Sequence, residues 1–517
     1  MKFSIICLPT KNTGNQLPNL GAIVIAQRVR ELGHDVFLID AARYRITIED
    51  AVMAAAASNP DLIGISGIIT SYYYCEPLTV RLKQALPDVP LVVGGGITCV
   101  ADLIETHTPV EYLIKGEGEM AITELVSILD AGRRPESRDI PGLFVRVGGT
   151  FKKPSGEQSY PDLSFASFPA YDLYDMEYYI DSMTHNAYRF LKLYPHIYEE
   201  VGEGIRFFPL TLTRGCPFNC KFCYRLVKKF RHPAIENAVS HLKTAKDRYG
   251  CLGITQLDEL TVANRQWFLD FCDAVAAEVP GLKIFSGAGR ANLLTPEIIR
   301  YARKAGFIRF GCGIESGSQR ILDNLNKKVT VKQNYDAIKD VKAAGMMATC
   351  NFIFGTPGES KKTLKETERF ILETLDPRDY AINLVVPYPE TPLFDHAIEK
   401  KILKKSEIHD YILNVSFGEY PLNLSEFKSG DRLVRAVSLM HSRLMIRFMW
   451  KKGNFLDIIR LVLVRIRQEI GFVLKMIAPK RMSGIRAKRN DELLNDFDRK
   501  RQAEYRQWLS TVERKQK

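Results

Sequence analysis

Apolar and polar positions follow two different periods along the chain, and the changes between them divide it into four stretches. In residues 1–140, apolar runs of strand length (Phe3–Leu8, Asp35–Ile39, Leu62–Ser66, Leu91–Val93, Tyr112–Lys115) are separated by helix-length stretches such as Gly21–Leu32, which ends at Gly33. Strand runs alternating with helical patterns predict a doubly wound, Rossmann-like α/β domain. Two Gly-rich turns follow the fourth and fifth runs, Gly94-Gly95-Gly96 and Gly116-Glu117-Gly118-Glu119. Ligands in such sheets bind beyond the C-terminal strand ends, where loops meet helix N-termini. No G-x-G-x-x-G follows the first run, which argues against a dinucleotide site.

Residues 141–204 read as a connector rich in Pro, Gly and Ser, with aromatics from Phe165 to Tyr179. Over 205–400 the alternation resumes with longer helices. Six candidate strands, Pro209–Thr213, Gly253–Leu257, Lys283–Gly287, Phe310–Ile314, Thr349–Phe354 and Ala381–Val386, predict an open, partial (β/α)6 barrel. Chemistry in such barrels belongs at the C-terminal strand ends. Residues 401–517 lose the alternation and read as helical; no internal repeat is evident.

Composition narrows the class. At 46% hydrophobic and 26% charged, the chain is an ordinary globular one, neither disordered nor fibrous. Its formal charge of +12 is confined to the end: residues 441–517 hold 20 basic and 8 acidic side chains, and the preceding 440 hold 52 of each. A protein that coats nucleic acid along its length is therefore unexpected. The apolar run at Met1–Pro9 is too short for a signal peptide and no uncharged stretch reaches membrane-spanning length, so a cytoplasmic location is expected.

Seven of the ten cysteines stand alone in apolar contexts and read as small core residues. The other three form one motif, Thr213-Arg-Gly-Cys216-Pro-Phe-Asn-Cys220-Lys-Phe-Cys223-Tyr224, just after the first barrel strand. Structural zinc takes four ligands, and no fourth Cys or His lies at finger spacing; His232 is nine residues beyond Cys223. Three cysteines on a 4Fe–4S cluster leave one iron open to a substrate or cofactor. Cys216, Cys220 and Cys223 are thus the candidate metal ligands and catalytic residues, with zinc and plain core cysteines as the competing readings.

The C-x-x-x-C-x-aromatic-C loop, with Phe222 as its aromatic, resembles the radical S-adenosylmethionine (SAM) superfamily. Similar segments follow at strand ends in the superfamily's order. Gln256-Leu-Asp-Glu resembles the second-strand motif, implying that Asp258 and Glu259 lie near the SAM amino group. Ser286-Gly-Ala-Gly-Arg290 resembles the third-strand segment, and Gly313-Ile-Glu315-Ser316 the fourth, near the ribose or carboxylate. Phe352-Ile-Phe-Gly355-Thr-Pro-Gly-Glu359 resembles the fifth-strand glycine motif, and Val386-Pro-Tyr-Pro-Glu-Thr-Pro392 the sixth-strand turn.

The first domain is similar to the cobalamin-binding domain that precedes this barrel in one branch of the superfamily, the class B methyltransferase-like enzymes. The resemblance is carried by Leu17-Pro-Asn19-Leu-Gly21, Gly33-His-Asp, Gly64-Ile-Ser66, Thr70-Ser71, Val93-Gly94-Gly95-Gly96 and Lys115-Gly116-Glu117-Gly118-Glu119. The D-x-H-x-x-G motif that supplies a cobalt-ligating His is absent, and His34 and His107 read as structural. The resemblance implies three cofactors: a 4Fe–4S cluster, SAM and cobalamin, the nucleotide tail of the last entering beside Ser66 and Gly94–Gly96. It also implies a 5′-deoxyadenosyl radical, a small-molecule substrate and a low-potential electron donor of flavodoxin or ferredoxin type. The expected reaction is methylation of an unactivated carbon or a phosphinate. The alternatives are an oxidative cyclase or other rearrangement without net methylation, or a non-catalytic or RNA-modifying protein guided by its basic end.

Apolar positions at 455, 459, 462, 463, 466, 470, 473, 474 and 477 form one helical face in a basic stretch. Such a helix packs on the body or lies on an anionic membrane surface. Packing is the expectation, peripheral membrane contact the alternative, and no nucleic acid partner is expected. The stretch from Arg481 reads as a solvated charged helix.

Overall fold

Burial on both faces explains the unbroken apolar runs of the first domain. In the computed structural model, which describes residues 1–11, 17–136, 140–154, 160, 162–163, 166–285, 287–416 and 422–453, β1 (Lys2–Cys7), β2 (Asp35–Ile39), β3 (Leu62–Ser66), β4 (Leu91–Gly94) and β5 (Tyr112–Ile114) are parallel, in the order β2-β1-β3-β4-β5. Parallel strands covered by helices on both faces need apolar residues throughout, as in Leu62–Ile65, which is buried along its length. The order reverses between β1 and β3, and at such a switch point a crevice opens above the strand ends.

The sheet continues beyond this domain pattern. β6 (Leu143–Val147) and β7 (Thr150–Lys152) add an antiparallel hairpin to β5. Leu143 and Val145 face the core while their neighbours are partly open, an alternation that the short length of the run conceals in the sequence. The rest of the connector holds the helices Met176–Leu191 and Pro195–Val201.

The second domain carries β8 (Phe207–Leu210), β9 (Gly253–Gln256), β10 (Lys283–Phe285), β11 (Ala288–Gly289), β12 (Arg309–Glu315), β13 (Met347–Phe354) and β14 (Tyr380–Leu384). They pair in parallel as a three-stranded sheet, β8 to β10, and a four-stranded one, β11 to β14. The expected third strand is therefore interrupted. Its first part pairs with β9, while the Gly287 carbonyl accepts from the Gly311 N–H at 2.8 Å and β11 pairs with β12. The first strand also ends earlier than the apolar run suggests. The N–H groups of Leu212 and Thr213 bond the Asp258 carboxylate instead of a neighbouring strand.

Two apolar clusters join the domains. One runs from Phe3 and Ile23 through the connector residue Tyr171 to Phe208 and Phe268; the other joins Ile6, Val93 and Leu113 to Ile321, Val385 and Ile412. Tyr171 is buried between the domains, and its hydroxyl donates to the Pro209 carbonyl at 2.9 Å. Past the barrel, helices span Pro392–Glu399, Ile408–Asn414 and Gly430–Lys451. The amphipathic stretch 455–477 and the segment from Arg481 lie outside the described residues. No described helix is long and apolar enough to cross a membrane.

Candidate functional site

The three clustered cysteines sit on the loop between β8 and the helix Ile235–Tyr249, at the C-terminal end of the first barrel strand. The loop is held from several sides. Gly215 has φ +78°, and a Cβ there would lie 2.3 Å from the Lys229 carbonyl oxygen, so only glycine permits this crossing. Arg225 donates to the carbonyls of Cys216 (3.1 Å) and Phe218 and to Asn219 Oδ1 (2.8 Å). Asn326 Nδ2 donates to the Asn219 carbonyl at 2.7 Å. Cys220 is buried, Cys216 half-buried and Cys223 exposed. The three sulfurs do not all lie within 4.8 Å of one another.

The strand-end residues surround this loop in different ways. Arg290 is 4% exposed; its Nη1 donates to Cys220 Sγ at 3.5 Å, and its guanidinium lies 3.8 Å from the centre of the Phe218 ring. Asp258 accepts from Leu212 N (2.8 Å), Thr213 N (3.1 Å), Thr213 Oγ1 (2.7 Å) and Gln256 Nε2 (2.7 Å). It is thus a brace for the start of the cysteine loop, and burial pushes its carboxyl up to about 6 against those donors. Glu259 lines a cavity and is the free carboxylate of this pair of neighbours; desolvation raises its pKa, opposed by the Arg225 charge.

Glu315 ends β12 at a bulge with φ 64° and receives the Lys327 ammonium at 2.7 Å, both side chains being buried. The same ammonium stands 5.8 Å from the centre of the Phe222 ring. Gly313 makes room for this pair: a Cβ there would lie 2.4 Å from Glu315 Oε1. Ser316 is turned inward, its hydroxyl bonded to Thr367 Oγ1 (3.0 Å) and to the Ser318 N–H (3.1 Å). Gly355 follows β13 with φ 90°.

A cavity of about 380 Å³ separates the cysteine-loop end of the barrel from the strand ends of the first sheet. Its floor is Gly21, Ser66, Gly94, Gly95, Gly116 and Gly118, with Phe3, Ile5 and Val92 deeper along the sheet; Leu212, Arg214 and Glu259 face them from the barrel. Asn19 caps the helix Leu20–Glu31, its Oδ1 accepting from the Ala22 N–H while its Nδ2 donates to Ser66 Oγ at 3.0 Å. At Gly94 an added Cβ would meet nothing nearer than the Ile114 carbonyl, 3.8 Å away, and at Gly21 nothing nearer than Asn19 Oδ1, 3.6 Å away. Side chains at these positions would occupy the cavity without displacing protein. Gly96 begins the next turn and does not line the cavity. Thr70 and Ser71 lie behind the Ser66–Ile68 loop, fully buried, with hydroxyl oxygens that have no hydrogen-bond partner among the described residues.

Glu117 occupies the cavity floor, yet its carboxylate is engaged by Arg231 and lies 3.4 Å from Arg214. Its carboxylate thus links the two domains. The sequence reading passed over Arg214, Arg231 and the carboxylate of Glu119, because separate ordinary ion-pairing residues carry no motif. It also passed over Tyr174, whose hydroxyl meets Cys7 Sγ and the Asn19 N–H, each at 3.1 Å. The aromatic run was its only signal. His34 Nδ1 lies 3.2 Å from the amino terminus, and His107 stacks on His409 at 3.9 Å, both away from the cavity.

Residues 210–371 match the Radical SAM superfamily, and residues 7–126 match the B12 binding domain. The chain therefore joins a B12 binding domain to a radical SAM domain. A protein of Pyrococcus horikoshii, described as an uncharacterized methyltransferase, is 29% identical over 415 residues, spanning 78% of this chain and 84% of its own. The anaerobic magnesium-protoporphyrin IX monomethyl ester cyclase of Cereibacter sphaeroides is 25% identical over 387 residues, 73% of this chain and 59% of that one. The fold is that of the radical SAM methyltransferase TsrM from Kitasatospora setae (TM-score 0.61, 14% identity, 77% of this chain and 76% of that one). It is also that of the cobalamin-dependent radical enzyme OxsB (TM-score 0.59, 19% identity, 87% and 61%).

Proposed function

We propose that this enzyme transfers a methyl group to an unactivated carbon, or to a phosphinate centre, of a small-molecule substrate. The observation that carries the reading is the cavity that places a glycine-lined sheet edge opposite the three-cysteine loop. When bound, a 4Fe–4S cluster with SAM would supply a 5′-deoxyadenosyl radical, and cobalamin would carry the methyl group.

The residues fit these groups. Cys216, Cys220 and Cys223 would hold the cluster, with Arg290 donating to the Cys220 sulfur. Glu259 would face the SAM amino group, and Glu315 and Gly355 would flank the rest of it. Asp258 and Ser316 would act one step back, by holding the loop and the fourth strand end. Gly21, Ser66, Gly94, Gly95, Gly116 and Gly118 would let cobalamin approach bare backbone. With strong cofactor chemistry available, the chain's own work is orientation and exclusion of water.

A low-potential donor of flavodoxin or ferredoxin type is proposed to deliver the electron, in the cytoplasm. For the stretch 455–477, packing on the body is proposed, with contact to an anionic membrane surface as the alternative that liposome co-sedimentation at low and high salt tests.

The Cereibacter sphaeroides relative favours one second reading, an oxidative cyclisation without net methylation. The reconstituted enzyme, given SAM, cobalamin, a low-potential reductant and candidate substrates, separates the two. A methyltransferase yields both S-adenosylhomocysteine and 5′-deoxyadenosine; a cyclase yields the latter alone. Protein that takes up no iron–sulfur cluster under anaerobic reconstitution would defeat both readings.

A further inference from the structure

Beside the first cavity lies a second of about 550 Å³, walled by Lys115, Tyr224, Arg225, Lys228, Lys229 and Glu390 among others. Gly116 and Leu226 line both, so the two adjoin. The second cavity draws its walls from the end of β5, from the segment directly after Cys223 and from the sixth-strand turn, and therefore opens where both domains meet the cysteine loop.

Its charge is unbalanced. Among the described residues Glu390 is the one carboxylate in the wall, and it is paired with Lys115. Arg225 directs its Nη groups at neutral acceptors, two carbonyls and an amide oxygen, and its buried Nε has no hydrogen-bond partner among the described residues. Lys228 and Lys229 are exposed and form no ion pair among the described residues. Cations gathered in a concave wall focus a positive potential on whatever enters. A flat basic patch would suit an acidic protein surface; a recess of this size suits a small molecule.

Building on the methyl-transfer reading, we propose that this cavity seats the anionic end of the substrate, a phosphate-bearing small molecule whose reacting end extends past Gly116 and Leu226 toward the first cavity. Lys228 and Lys229 then act as binding residues for the charged group.

Inorganic pyrophosphate is the probe, titrated calorimetrically into the cluster-loaded holoenzyme with and without hydroxocobalamin. Saturable binding is expected in both forms, weakened roughly tenfold or more in Lys228→Glu/Lys229→Glu and to a lesser degree in Lys228→Gln/Lys229→Gln. Iron content and dithionite-driven SAM cleavage should be unchanged in both variants. Absence of saturable binding, or equal binding by the variants, would overturn the proposal. Binding abolished by cobalamin would assign the cavity to the cofactor, and variants impaired only in reduction by flavodoxin would assign it to an acidic protein. Pyrophosphate binding that persists in an enzyme making no S-adenosylhomocysteine would leave the anion site standing and defeat methyl transfer alone.

Discussion

Arg214, two residues ahead of Cys216, crosses the domain boundary to pair with Glu119, whose side chain is only 6% exposed at the start of the helix Glu119–Asp130. The carboxylate also sits favourably at a helix N-terminus. Glu117 and Arg231 extend the pair into a network of four charges. The cysteine loop and the glycine-lined floor that it faces are thereby tied by buried charge as well as by apolar packing. Such pairs are costly to desolvate, so their contribution lies less in net stability than in fixing how two surfaces meet.

Removing one member should expose that cost. Arg214→Met leaves Glu119 without its cation and is expected to destabilise the protein by about 3 kcal/mol in denaturant unfolding, much of it recovered in Arg214→Met/Glu119→Leu. If the pair sets domain alignment, methyl transfer falls in the single variant while reductant-driven SAM cleavage persists.

Filling the floor should separate cofactor binding from folding. Gly94→Ala adds a Cβ whose nearest protein atom is 3.8 Å away, so thermal stability should hold while cobalamin binding, followed by its visible spectrum, weakens by roughly tenfold or more. Gly95→Ala is the contrast. Its φ is +86° and its Cβ would lie 2.8 Å from the Gly67 carbonyl, so stability itself should drop.

Arg290 should tune the cysteine centre. Hydrogen bonds to a cluster's sulfurs influence its potential; replacing the donor to Cys220 by Arg290→Met should make the reconstituted cluster harder to reduce. An EPR-monitored redox titration would show the midpoint moving to more negative values, with iron content retained.

Glu359 makes stability depend on pH. Its carboxyl is 1% exposed, and burial raises its pKa from 4.5 to about 7 against bonds from Thr363 and the Gly355 N–H. Between those values the folded protein holds a proton that the unfolded chain has released. Stability from this group is therefore full below about pH 4.5 and declines as pH rises to about 7, by a total on the order of 3 kcal/mol. Glu359→Gln should flatten that part of the profile in unfolding measured across the range.

Much of the site was legible because it is local. The spacing of Cys216, Cys220 and Cys223, and the order of the strand-end segments behind them, survive in a linear reading. So did the central strands: β2 and β3 span the runs that apolar patterning marks. The ends of strands were less legible, since Leu212 and Thr213 look like strand residues until a distant Asp258 claims their N–H groups. Asp258 itself reads as a free carboxylate beside Glu259, and only the fold distinguishes the brace from the open group.

The sequence by itself determined the class of chemistry, because metal-binding thiols need close spacing and bare-backbone turns need glycine, both of which are properties of short segments. Tertiary structure alone decided what these segments face. The pairing of Arg214 with Glu119, the burial of Tyr171 between the domains and the gathering of Lys115 with Lys228 and Lys229 around one recess each join residues far apart in the chain. Their energies depend on distance and on exclusion from water, and neither exists until the two domains have packed.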